Sequence, residues 1–145
     1  MEPAFNRRKR LMAPTTKGAS PMLVVVAVAL AGALGALARY GVDRFIEHHL
    51  FTVFPWSTLA INVTGCFLAG VTVAALVDRH EVPAWLRVGV IVGFLGAYTT
   101  FSTFAQESRD LLAGGHGALA VANVLGSSIA GVGGVVVGIG AGRAL

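Results

Sequence analysis

Four long apolar runs joined by short polar connections leave this chain few ways to fold. Residues 22–38, 56–77, 85–104 (or on to 112) and 118–141 make up the runs. Each is near the ~20 residues that a helix needs to cross a bilayer. In lipid every backbone polar group must be satisfied internally, so runs of this length read as helices. The expected fold is an all-α membrane protein with four transmembrane helices and one domain. Composition agrees: 12% of residues are charged and 55% hydrophobic, against roughly 25% charge in soluble domains. The 19 glycines suit close helix packing in lipid.

The ends and connections are polar. Residues 1–20 carry Arg7, Arg8, Lys9, Arg10 and Lys17 and read as a disordered basic tail, with the membrane domain at 21–145. A competing reading is a signal peptide cleaved after Ala36-Leu37-Ala38; the first apolar run is long for that purpose. Residues 43–53 read as a solvated polar loop, with His48 and His49 too isolated to hold a metal. Asp78-Arg79-His80-Glu81 and Gly114-Gly115-His116-Gly117 read as turns. The single cysteine, Cys66, excludes an intrachain disulfide. The net charge of +4 sits mostly in the tail and speaks of membrane orientation, with no nucleic-acid partner.

With four spans, the tail, second connection and C-terminus share a side. They hold eight Lys and Arg, against three (Arg39, Arg44, Arg109) on the other. The positive-inside rule then puts the N-terminus in the cytoplasm. Without the tail the balance is three against three, so the helical body is nearly indifferent to its orientation.

The third run is the anomaly. Gly93-Phe94-Leu95-Gly96-Ala97-Tyr98-Thr99-Thr100-Phe101-Ser102-Thr103-Phe104 is a poor helix former and carries five hydroxyl groups. Irregular backbone at membrane depth survives only against protein or a water-filled cavity, and in transporters it marks ion sites. The third helix is therefore expected to break mid-span.

The other polar residues inside the runs are neutral: Asn62, Thr64, Asn123, Ser127 and Ser128. Asn123 and Ser127, four residues apart, share a helix face, as do Phe101 and Phe104 at three. The bland reading is interhelical glue and simple packing. The sharper one uses amide and hydroxyl hydrogens and the positive edges of aromatic rings, which suit a small hydrated anion. Arg39, closing the first run, is the only charge near a span interior, so a proton-coupled carrier lacks its titratable group. Ser102 and Ser127 lack a neighbouring base, so the chain does not read as an enzyme. The residues alone reach a small-ion pathway.

Three stretches resemble the fluoride channels of the Fluc (CrcB) type. They are Gly32-Ala33-Leu34-Gly35-Ala36-Leu37-Ala38-Arg39-Tyr40, residues 58–70 around Asn62, and residues 93–104. The resemblance implies a fluoride-specific channel that exports cytoplasmic fluoride passively across the cell membrane. It implies an antiparallel, dual-topology homodimer in lipid. On it, Asn62 donates its amide to fluoride, Phe101 and Phe104 present ring edges, and Ser102, Thr103 and Ser127 supply hydroxyls. Arg39 draws anions to the vestibule. A structural, untransported Na⁺ at the dimer centre is held by the backbone carbonyls of Gly96 and Thr99. Two positions depart from the pattern: Ala97, where the family often has Gly, and Asn123, where it often has Tyr. The long basic tail leaves a heterodimer with an oppositely oriented homologue as a further expectation. The alternatives are a small dual-topology proton-coupled multidrug exporter and a non-transporting scaffold subunit.

Overall fold

The computed structural model describes residues 20–77 and 82–144. Nearly all of the expected tail and the turn at residues 78–81 lie outside the described residues. The regular elements among the described residues are all helical, and four spans are long and apolar enough to cross a membrane.

Helix α1 (Pro21–His49) starts where the chemistry asks it to. Ser20 caps it by accepting the Leu23 amide at 3.2 Å, and Pro21 occupies the first turn, where its missing N–H costs nothing. Its 29 residues extend about 43 Å, longer than a bilayer core. This corrects the polar loop read at residues 43–53, because 43–49 are helical. Arg44 pairs with Glu47 at 3.0 Å one turn on, and His49 Nδ1 donates to the Phe45 carbonyl at 2.7 Å. Those local bonds carry the helix past the apolar stretch, and the true connection is residues 50–55.

Helix α2 (Trp56–Thr72) continues into a π-helical turn, Val73–Val77. The third span, Ala84–Ala113, is composite. It contains α3 (Ala84–Val88), a π-helical stretch (Gly89–Leu95), a single turn α4 (Gly96–Tyr98) and α5 (Phe101–Ala113). Gly115, at φ 79°, makes the left-handed turn into α6 (Gly117–Ala144), which runs unbroken for 28 residues.

The spans pack in two pairs, α2 with α6 and α1 with the first half of the third span. Both pairings bring backbones into contact. A Cβ at Gly138 of α6 would run into the Phe67 carbonyl of α2, and one at Gly35 of α1 into the Phe94 carbonyl. Lipid tails offer no hydrophobic drive between helices, so close approach over small residues supplies the attraction. The outward faces of α1 and α6 stay apolar and exposed, Leu37 and Val132 among them. Ile61, Thr58 and Asn123 are the largest fully buried side chains among the described residues.

Candidate functional site

The site is built around two residues that leave the helix. Thr99 (φ −79°, ψ 154°) and Thr100 (φ −144°, ψ 113°) are extended between α4 and α5. Each threonine has an alternative partner to offer. The Thr99 hydroxyl donates to the Leu95 carbonyl at 2.9 Å, alongside its own amide at 3.1 Å. The Thr100 hydroxyl oxygen caps α5 by accepting the Thr103 amide at 3.2 Å, and its hydrogen goes to Thr103 Oγ1 at 2.9 Å.

Asn62 of α2 holds the gap open. Its Nδ2 donates to the Thr100 carbonyl at 3.0 Å, and its Oδ1 accepts the Thr100 amide at 2.8 Å. One side chain thus satisfies both backbone groups of an extended residue, as a neighbouring strand would. Gly65, one turn further along α2, leaves room for this: a Cβ there would strike the Thr99 methyl. Tyr98 anchors the near side, buried, stacked on Phe94 at 5.9 Å and joined to the Thr64 hydroxyl at 2.9 Å.

Two donors have therefore been diverted. In a regular helix the Thr100 and Thr103 amides would serve the carbonyls of Gly96 and Thr99. Here they serve Asn62 and the Thr100 hydroxyl instead.

Beside the interruption lies a cavity of about 280 Å³, whose walls include Asn62, Thr99, Phe101, Phe104 and Ser127. The Phe101 and Phe104 rings are 5.6 Å apart and inclined at 46°. Phe101 is 80% exposed, so its ring stands out from the chain rather than filling a core. Of the residues expected to meet the anion, Asn62, Phe101, Phe104 and Ser127 come together here. Ser102 and Thr103 do not line this cavity; they are exposed in the first turn of α5. Arg39, half-buried on α1, also lies outside its lining.

On α6, Ser127 donates to Asn123 Oδ1 at 3.3 Å. Asn123 Nδ2 donates to Ser108 at 3.0 Å, and Ser108 donates to the Phe104 carbonyl at 2.7 Å. This buried chain ties α6 to the helix that carries both phenylalanines.

One carboxylate corrects the expectation that Arg39 is the only charge near a span interior, because Glu107, read as part of the polar set closing the third run, belongs to the span itself. Glu107 lies within the third span, where its Oε1 accepts the Thr58 hydroxyl at 2.8 Å. Its Oε2 is buried without a partner among the described residues. It lines a second opening of about 330 Å³ with Trp56, Asp110 and His116, separate from the cavity lining at Asn62. The signal was present: Phe101, Phe104 and Glu107 recur every three residues and so share one stripe of α5. Among the described residues no cluster of three or more His, Cys, Asp or Glu could hold a metal ion.

Residues 26–139 match the model of a family described as CrcB-like protein, Camphor Resistance (CrcB). The fluoride-specific ion channel FluC of Acidobacterium capsulatum is 54% identical over 106 residues, 71% of this chain and 82% of its own length. FluC of Geobacter metallireducens is 44% identical over 73% of this chain and 86% of its own. FluC of Saccharophagus degradans is 43% identical over 83% and 90%.

Proposed function

This chain belongs to the CrcB-like family, and from that premise we infer that it is a fluoride-specific ion channel, a multi-pass membrane protein through which cytoplasmic fluoride leaves passively. The observation that carries the reading is the Asn62–Thr100 clamp, set in a cavity walled by Phe101 and Phe104.

Fluoride is small and strongly hydrated, so a pore must replace its water with many short donors. Asn62 spends one amide hydrogen on Thr100 and keeps the second for the ion. The Thr103 hydroxyl accepts from Thr100, which leaves its own hydrogen to give. Ser102 beside it and the ring edges of Phe101 and Phe104 complete a donor surface at the start of α5. The positive end of that 13-residue helix adds to the attraction. Arg39 raises the local anion concentration at the vestibule. Chloride is larger and more weakly hydrated, so pore width and donor density select against it. The cavity lining at Asn62 holds no carboxylate, histidine or lysine, which suits passive conduction. Fluoride that entered as HF and dissociated inside then runs down its own gradient.

Na⁺ suits the same interruption. The carbonyls of Gly96 and Thr99 have lost their usual amides to Asn62 and the Thr100 hydroxyl. Paired with those of a second copy, they make an all-oxygen set for a hard monovalent ion. Bound there, Na⁺ supplies a fixed positive charge and is not itself carried. The partner we propose is an antiparallel second copy, or an oppositely oriented homologue, in the cell membrane. The three-against-three charge balance of the helical body supports either orientation, and the basic tail favours a cytoplasmic N-terminus.

The test is fluoride efflux from liposomes holding the purified full chain in Na⁺ buffer, read with a fluoride electrode. The wild-type chain is expected to release fluoride and Phe101→Ile to lose at least tenfold. A wild-type chain that releases none overturns the reading.

A further inference from the structure

Three consecutive residues at the interruption are fastened to α2, each in its own way. Thr100 is held by Asn62 through both backbone groups. The Thr99 methyl and the Tyr98 ring lie against Gly65, where a Cβ would strike the first and come within 3.2 Å of the second. Tyr98 adds a directional bond, with its hydroxyl 2.9 Å from Thr64 Oγ1. Thr64 has an outlet for its own hydrogen in the Ala60 carbonyl at 2.7 Å, which leaves its oxygen open to the Tyr98 O–H.

A buried tyrosine needs a partner for its O–H, and any acceptor would meet that need. The choice of Thr64 has a consequence because of where Tyr98 stands in the chain. It is the last residue of α4, directly before Thr99, whose carbonyl has lost the Thr103 amide to the Thr100 hydroxyl. That carbonyl is therefore flanked by two ties to α2, Tyr98 to Thr64 before it and Thr100 to Asn62 after it. The turn is open on another side: Gly96 is exposed, and a Cβ there would come no nearer than 3.9 Å to the Ile91 carbonyl. What steadies the turn from outside its own span is α2.

We propose that Tyr98 is a positioning residue for Na⁺: anchored on Thr64, it holds the Thr99 carbonyl in place before the ion arrives. Without the anchor, the cost of fixing a loosened backbone residue falls on ion binding. This rests on the Na⁺ reading above and names the pair that sets the affinity of that site.

The experiment follows the unfolding midpoint of the full chain in detergent against Na⁺ concentration, with choline replacing Na⁺ at constant ionic strength. An ion that binds only the folded chain raises the midpoint once its concentration exceeds the dissociation constant. Tyr98→Phe keeps the ring and its stacking on Phe94 and removes the hydroxyl. It is expected to raise the Na⁺ concentration at which the midpoint begins to climb about tenfold, the equivalent of fixing one backbone residue. The half-activating Na⁺ concentration for fluoride efflux from proteoliposomes is expected to rise by the same factor. Thr64→Val is expected to match both shifts, and it serves where Tyr98→Phe does not fold. The double variant is expected to shift no further than either single one, because both remove the same bond. A midpoint lowered equally at every Na⁺ concentration in the folded variants, or single shifts that add in the double variant, overturns the proposal while leaving Na⁺ binding intact. A wild-type chain whose midpoint does not respond to Na⁺ overturns the Na⁺ reading and this inference with it.

Discussion

The third and fourth spans have nearly the same length, 30 and 28 residues, and opposite regularity. The fourth holds eight glycines and stays one helix from Gly117 to Ala144. The third holds three, yet its helix lapses at Thr99 and Thr100, neither of them glycine. Glycine count therefore does not decide where a membrane helix opens. Without water to compete, a backbone bond is given up only to another partner. The third span has such partners, in the two threonine hydroxyls and in Asn62. The glycines of α6 have none, and four of them, Gly131, Gly134, Gly138 and Gly142, instead let the second span approach, as Gly138 does over Phe67.

Removing the competitor is the strongest way to break this contrast. Asn62→Leu strands the Thr100 amide and carbonyl together. It is expected to cost about 2–4 kcal/mol, read as a lower unfolding midpoint in detergent. Gly138→Leu tests the other half, because a side chain there must push α2 and α6 apart. A loss of about 1–3 kcal/mol is expected, with the fluoride pathway disturbed only through helix spacing. Thr100→Val removes the cap of α5 and keeps the shape of the residue. It is expected to cost about 1 kcal/mol by the same measurement. The smallest change sharpens the comparison. Gly140→Ala meets nothing within 4 Å, so it is expected to be neutral or to stabilise α6 by up to about 1 kcal/mol. If Gly140→Ala destabilised as much as Gly138→Leu, close approach would not be what the α6 glycines are for.

The four spans were legible because length and apolarity are local properties of the chain. The far end of α1 was not, because Arg44, Glu47 and His49 read as loop residues until their turn-to-turn bonds are seen. The π-helical stretches at Val73–Val77 and Gly89–Leu95 carry no compositional mark that separates them from α-helix. Asn62, Phe101, Phe104 and Ser127, named from the motifs, line one cavity. What Asn62 does inside the fold was hidden, since its partner Thr100 lies 38 residues away. The Thr58–Glu107 pair, 49 residues apart, was hidden for the same reason. The direction of the Asn123 chain is set by a backbone carbonyl on another helix, which no spacing along α6 reveals.

The central claim is that the Asn62-held interruption is where fluoride crosses. Its most direct test is paired efflux of fluoride and chloride from liposomes holding either the wild-type chain or Asn62→Leu, with folding of both verified by gel filtration. Wild-type protein is expected to release fluoride and retain chloride, and folded Asn62→Leu to release neither. Fluoride release by Asn62→Leu at the wild-type rate would contradict it.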